Sequence, residues 1–175
     1  METAKKRKGC CCCQRKKICM IGDFLVREAE APETEPALHL AWETFQEFVA
    51  PHYTQDGIEE FRRFISPESI REMTGQGEMA LWSCWNGEGN LVGTLGTRAS
   101  HICLLFIQKE HQRKGAARAL VEAWTEQQKE QGASHATVHA FPNATEAYRR
   151  LGFLETGPEE TRNGMRFVPM SLNIL

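Results

Sequence analysis

The sequence predicts a single mixed α/β domain in which a β-sheet is flanked by helices. Strand-type runs and amphipathic helical stripes alternate along the chain in the order βαα(α)βββαβαββ, the pattern of packed helix and sheet layers. At 175 residues, with neither an internal repeat nor an interdomain linker, the chain has room for one core and can bury roughly 70% of its unfolded surface. An apolar fraction of 41% and a charged fraction of 25% are ordinary for a folded chain and exclude collagen-like, low-complexity and wholly disordered classes. No apolar run approaches the ~20 residues a membrane span requires.

Phe24–Glu30 reads as a short first strand, ended by Pro32. From Pro36, apolar residues recur at Leu38, Ala41, Trp42, Phe45, Phe48 and Val49, the stripe of an amphipathic helix stopped by Pro51. A second helix follows Asp56, with Ile58, Phe61 and Ile65 on one face; Ser66-Pro67-Glu68 then sets an N-cap and a proline at the first position of a third. Met79–Trp85 and Leu91–Thr97 are strands joined by the Gly-rich turn Asn86–Asn90. Ile102–Ile107 is unbroken in its apolarity, as a strand covered on both faces must be. A long helix runs from about Gly115 to Gly132, with Ala117, Leu120, Val121 and Trp124 in its stripe. Ala136–Phe141 is a strand, Ala144, Ala147, Tyr148 and Leu151 mark a short helix closed by Gly152, and two strands flank the Asn163-Gly164 turn.

The net charge of −2 conceals two unlike segments. Residues 1–19 hold seven basic residues against the single acid Glu2, whereas the body from Met20 onward is acidic. An acidic body argues against a nucleic-acid partner and favours a cationic one. Cys10, Cys11, Cys12, Cys13 and Cys19 also lie in the tail, leaving Cys84 and Cys103 in apolar runs of the body. A secreted disulfide scaffold spreads its cysteines along the chain, so a reducing cytoplasm is expected. Cys10-x-x-Cys13 has no second pair or histidine nearby to complete a metal site, and no metal is expected. A polybasic, acylated membrane anchor is physically possible, but the preferred reading is that residues 1–19 are disordered or precede a true start at Met20.

Ile102-Cys-Leu-Leu-Phe-Ile-Gln-Lys-Glu-His-Gln-Arg-Lys-Gly-Ala-Ala-Arg-Ala-Leu joins a buried strand, a basic loop containing a glycine, and a helix start. This is the composition of an anion cradle. The first N–H groups of a helix have no internal partners and sit at the positive end of its dipole. Gly115 lets phosphate oxygens approach the backbone, and Arg113, Lys114 and Arg118 add positive charge.

Gln112-Arg-Lys-Gly115-Ala-Ala117 resembles the Gln/Arg-x-x-Gly-x-Gly/Ala signature of the GNAT superfamily of N-acetyltransferases. Asn143-Ala-Thr-Glu-Ala-Tyr-Arg-Arg-Leu-Gly-Phe153 resembles that family's second motif, and the order of elements from residue 24 to 175 is similar. The resemblance implies a GNAT-type single domain with a central, mostly antiparallel mixed sheet, and acetyl-CoA as acetyl donor. It implies that the pantetheine pairs with the backbone of Leu105, Phe106 and Ile107, and that the pyrophosphate sits on Gln112, Arg113, Lys114, Gly115, Ala116, Ala117 and Arg118. Position 117 is Ala where Gly is commoner. Phe141 stands where many members carry a cofactor-contacting Asn, which passes that role to Asn143.

By the same resemblance Tyr148 is the general acid and a cofactor contact. His101 occupies the position of the glutamate base of histone-modifying members, with His139 or ordered water as the alternative. Acetyl transfer fits such groups: an amine of pKa ~10.4 must lose a proton before attack, and the departing thiolate prefers to be protonated. The implied activity is transfer of acetyl from acetyl-CoA to a primary amine through a direct ternary complex, since no exposed covalent nucleophile is evident. The rival reading is a non-catalytic acyl-CoA-binding module. The acceptor, a small molecule or a peptide, is not legible, although Trp82 and Trp85 are candidates to line its pocket. Neither a nucleic-acid nor a membrane partner is expected, and a homodimer is possible.

Overall fold

The computed structural model describes residues 17–175. Of the predicted tail, residues 1–16, including Cys10 to Cys13, lie outside the described residues.

A strand precedes the predicted first one. β1 (Cys19–Ile21) pairs antiparallel with β2 (Phe24–Glu28) across a turn in which Gly22 takes a φ of +58°. Three residues are too few to show period-two alternation, so no sequence pattern marks β1. A short helical turn leads into α1 (Thr34–Phe48), which starts earlier than its apolar stripe suggests and buries Ala37, Leu38, Ala41 and Phe45. α2 (Gln55–Phe64) is capped by Thr54, whose hydroxyl accepts from the Gly57 N–H. α3 (Pro67–Gly75) has the predicted cap, with Ser66 Oγ accepting from the Ser69 N–H at 3.3 Å and Pro67 at the first position. Each such cap contributes about 1 kcal/mol.

β3 (Ala80–Trp85), β4 (Leu91–Arg98) and β5 (His101–Ile107) form an antiparallel meander. α4 (Ala116–Glu130) crosses back to β6 (His135–Ala140), followed by α5 (Thr145–Arg150) and β7 (Leu154–Glu155). The chain closes with β8 (Glu160–Arg162) and β9 (Met165–Asn173), joined by the predicted turn, where Asn163 and Gly164 both have positive φ. Among the described residues the sheet runs β1-β2-β3-β4-β5-β6-β9-β7, with β8 on the outer edge of β9. Its pairs are antiparallel except β5 with β6, which is parallel. The predicted class, a mostly antiparallel mixed sheet flanked by helices, is the one observed.

Two features of β5 shape the centre of the sheet. The β4–β5 register steps from Gly96↔Leu104 to Thr97↔Ile102, so Cys103 is a bulge and the alternation of faces changes phase there. The β5–β6 pairing covers only His101↔Thr137 and Ile102↔Val138, after which the two strands part. The core is correspondingly two-sided. One face packs α4 through Leu120 and Trp124 against Val92, Leu95, Ile102 and Val138. The opposite face packs α1 to α3 through Phe45, Phe61 and Ile70 against Leu81, Leu104 and Phe106. Gly93 permits the closeness of α4, because a Cβ there would lie 2.5 Å from Ile107 Cδ1 and 3.3 Å from Leu120 Cδ1. Each large side chain fully withdrawn from water contributes on the order of 2 kcal/mol.

Candidate active site

A cleft of about 550 Å³ opens where β5 leaves β6, between the N-terminus of α4, α5 and the end of α1. Its floor is Leu105, Phe106 and Ile107, whose β6-side edge has no strand partner among the described residues. Backbone N–H and C=O groups on such an edge must be paired by something, and an extended ligand carrying amides suits it.

At one end of the cleft lies the predicted anion cradle. Gly115 is the N-cap of α4 with a φ of +99°, and Arg113, two residues earlier, also lies in the left-handed region at +60°. Such turns curve successive N–H groups toward one concavity. Among the described residues no side chain caps α4, and its first turn contains no acid, so its N-terminal N–H groups face outward uncontested. A Cβ at Gly115 would meet nothing closer than Phe24 Cε2, at 3.8 Å. Glycine is demanded there by the backbone conformation, and the space over the helix end is open, which fits a phosphate group. Gln112 Nε2 donates to the Ile107 carbonyl at 3.0 Å, so this side chain holds the loop to the end of β5. Arg118 reaches across the cleft, Nη2 donating to the Arg150 carbonyl at 2.8 Å and linking α4 to α5.

Of the residues expected to hold the cofactor, Leu105, Phe106, Ile107, Gln112, Arg113, Gly115, Ala117, Arg118, Asn143 and Tyr148 line this one cleft. Lys114 is exposed beside it, and Ala116 is buried under the helix end, so only its backbone is available. Asn143 is exposed and donates through Nδ2 to the Phe48 carbonyl at 2.7 Å, fastening the loop before α5 to the end of α1.

Tyr148 is 8% exposed and packs edge-on against Phe153, with ring centroids 5.5 Å apart. Its hydroxyl has no hydrogen-bond partner among the described residues, yet it is not sealed from solvent, as a group facing the cleft would be. Burial pushes its pKa well above the usual phenol value, with the neighbouring Cys103 adding to the rise. Tyr148 therefore carries its proton throughout the neutral range.

His101 stands apart. It opens β5 at the end away from Leu105 and is not among the cleft residues. Its Nδ1 lies 2.8 Å from Thr137 Oγ1, and its ring meets that of His139 at 4.7 Å, edge to face. His139 in turn stacks on Phe167 at 4.2 Å. Burial, then His139 and Arg98, lower the His101 pKa to about 4, so the ring is neutral at pH 7. Trp82 is core, at 1% exposure, and Trp85 lies under Arg27 on β3; neither lines the cleft. Cys84 is fully buried and Cys103 half-buried, and burial raises both thiols, to about 12 and about 11. Thr44 and Phe48 of α1, and Val49 just after it, join the site without any signal in the sequence, because they reach it from the opposite side of the sheet.

A mixed sheet parted beside an uncapped helix N-terminus has the build of an acyl-transfer domain. The acetyltransferase (GNAT) domain model matches residues 49–174. The chain belongs to the GNAT acetyltransferase family. Among curated proteins none is significantly similar in sequence. Solved structures of the same fold include a GCN5-related N-acetyltransferase from Rhodopseudomonas palustris, at 16% identity and a TM-score of 0.72 over 85% of this chain and 94% of that one. The PaiA N-acetyltransferase of Thermoplasma acidophilum, in complex with coenzyme A, aligns at 17% identity and 0.69 over 86% and 98%. A ribosomal-protein-S5-alanine acetyltransferase from Vibrio fischeri aligns at 16% and 0.63 over 90% and 96%. Among the described residues no helix is long and apolar enough to cross a membrane.

Proposed function

We propose that this chain transfers the acetyl group of acetyl-CoA to a primary amine by direct attack, in a reducing cytoplasm. The observation that carries the reading is the β6-side edge of β5 at Leu105–Ile107, which has no strand partner among the described residues and ends against the uncapped N-terminus of α4. Acetyl-CoA, when bound, supplies an activated thioester. The N–H groups at the start of α4, with Arg113 and Arg118, would hold its pyrophosphate, and the β5 edge its pantetheine amides. The cysteine distribution along the chain supports the reducing compartment.

The residues then divide the work. A backbone N–H on the open β5 edge is the donor available to a developing oxyanion. As the C–N bond forms and the C–S bond breaks, the Tyr148 hydroxyl gives its proton to the leaving sulfur and recovers one from water. In water this transfer from a phenol of pKa ~10 to a thiolate of ~8.5 is uphill by ~2 kcal/mol. Burial raises the phenol further, and a dry cleft raises the thiolate in the same direction, which offsets that rise. His101 lies four residues before Leu105 on β5, roughly 13 Å away at ~3.3 Å per residue. It serves as base only through a chain of waters, which makes solvent the simpler route for the ammonium proton.

The test is thiol release from acetyl-CoA with and without added amine. Amine-dependent release with formation of the amide is the expected result. Tight acetyl-CoA binding with no release for any amine would favour the non-catalytic acyl-CoA-binding module instead.

A further inference from the structure

The cleft is lined by residues from both faces of the sheet, and the two sides, each taken as a mouth, differ in chemistry. Because neighbouring β5 residues point to opposite faces, Leu105 and Ile107 join Tyr148, Ala117 and Leu151 on the α4–α5 side. Phe106 joins Phe48, Val49 and Phe141 on the α1 side, with Thr44 beside them. The charged groups of the cleft, Arg113, Arg118 and Arg150, come from the cradle loop, α4 and α5, so a pyrophosphate has one mouth to use and an acceptor the other.

The α1-side mouth is aromatic. The Phe141 ring lies 5.8 Å from Tyr53, 5.9 Å from Phe45, 6.1 Å from Phe61 and 6.3 Å from Phe106, which fixes one wall as a rigid apolar surface. Among the described residues no carboxylate lines the cleft. Glu47, adjacent to Phe48, is ion-paired with Lys109, whose Nζ sits 5.9 Å from the centre of the Phe48 ring.

Resting on the acetyl-transfer reading, we propose that the acceptor is a primary amine carried on a flat apolar body, in class an arylalkylamine, that packs between Phe48, Phe106 and Phe141. The ring buries apolar area and meets tilted aromatic neighbours, a geometry aromatic pairs favour. The amine itself is helped by the surroundings, because an apolar mouth lowers an ammonium pKa and supplies more of the neutral nucleophile. A polyamine would bring further ammonium groups into an aromatic mouth that no carboxylate lines among the described residues, and so would lose hydration without repayment.

Initial-rate thiol release at saturating acetyl-CoA, with phenethylamine and spermidine as the two probes, tests this. Wild type should favour phenethylamine by about tenfold or more in kcat/KM. Phe48→Ala should raise the KM for phenethylamine by about 5- to 20-fold with kcat little changed. Thr44→Glu, at a half-buried α1 position that lines the cleft, introduces a carboxylate at the mouth and should move the preference about tenfold toward spermidine. In both variants an unaltered acetyl-CoA shift in Tm certifies the fold. A wild-type preference for spermidine, or a preference unmoved by both variants, would overturn the acceptor class while leaving acetyl transfer intact. Binding of acetyl-CoA with no release for either amine, or for any other, would overturn the transfer reading and the acceptor class with it.

Discussion

Tyr148 and His101 are both expected from the sequence to move protons, and their surroundings separate them. Tyr148 faces the cleft and is held protonated by burial, so its contribution should depend on the hydroxyl alone. Tyr148→Phe keeps the ring against Phe153 and is expected to leave acetyl-CoA binding unchanged while lowering kcat by ~10²–10⁴, measured by steady-state thiol release. An unchanged kcat would reduce Tyr148 to a packing residue. For His101 the sign of the pKa shift makes a different prediction. Its folded pKa of about 4 lies below the usual value near 6.5, so the unfolded chain binds more protons between those limits. The stability this ring contributes is complete above pH 6.5 and is lost as pH falls toward 4. Arg98 and His139 face the ring and share in the lowering, and Thr137 holds its Nδ1. His101→Gln should therefore lose less Tm than wild type between pH 6.5 and 4. If His101 is the base, kcat/KM should fall only near pH 4. A wild-type rate that rises continuously to about pH 9, and does so equally in His101→Gln, assigns deprotonation to solvent.

At the scale of elements, the decisive unit is the loop before α4. Gly115 has a φ of +99°, so any side chain is strained there whatever the space around it. Gly115→Ala should cost about 1 kcal/mol of stability and weaken acetyl-CoA binding modestly. Gly115→Glu adds a negative charge over the helix end and should abolish the Tm increase that acetyl-CoA produces by binding the folded state. A folded Gly115→Glu protein with the wild-type acetyl-CoA shift would remove the phosphate cradle from this site. The Cys103 bulge is the second decisive element. By changing the phase of β5 it turns Leu104 and Phe106 to the α1 face and Leu105 and Ile107 to the α4 face. A strand without the bulge would present its cleft residues to the wrong faces.

At the scale of the molecule, the sheet separates two cores, and the site exists because the sheet parts at its centre. β1 lies at the far edge of that sheet, with Cys19 and Ile21 half-buried against the α4-side core and Lys17 paired with Glu130 of α4. A chain beginning at Ile18 is expected to match the full chain in Tm and in acetyl-CoA binding. One beginning at Phe24 leaves β2 as the edge and uncovers Val26, which should lower Tm by about 3–6 °C while sparing acetyl-CoA binding. Loss of acetyl-CoA binding in the Phe24 chain would mean that the edge strand supports the cleft across the sheet.

Features set over a few residues are legible in the chain alone. The strand, basic loop, glycine and helix start from Ile102 to Leu120 are contiguous, and each obeys a short-range rule. The cap at Ser66 and the Asn163-Gly164 turn are set by backbone hydrogen bonds and φ over a few residues, whereas α2 begins at Gln55 behind a Thr54 cap, earlier than the sequence predicts. Even so, β1 and β7 left no trace, because two or three residues do not establish a period. Whatever long-range packing controls is visible only in the folded molecule. Phe48, Phe106 and Phe141 come from α1, β5 and the segment just after β6, and meet only when α1 is laid on one face of the folded sheet. The burial that keeps Tyr148 protonated, and the separation that leaves His101 outside the cleft, follow from where β5 and β6 part. That divergence is a property of pairing between residues 36 positions apart, as in His101 and Thr137, and no local pattern encodes it.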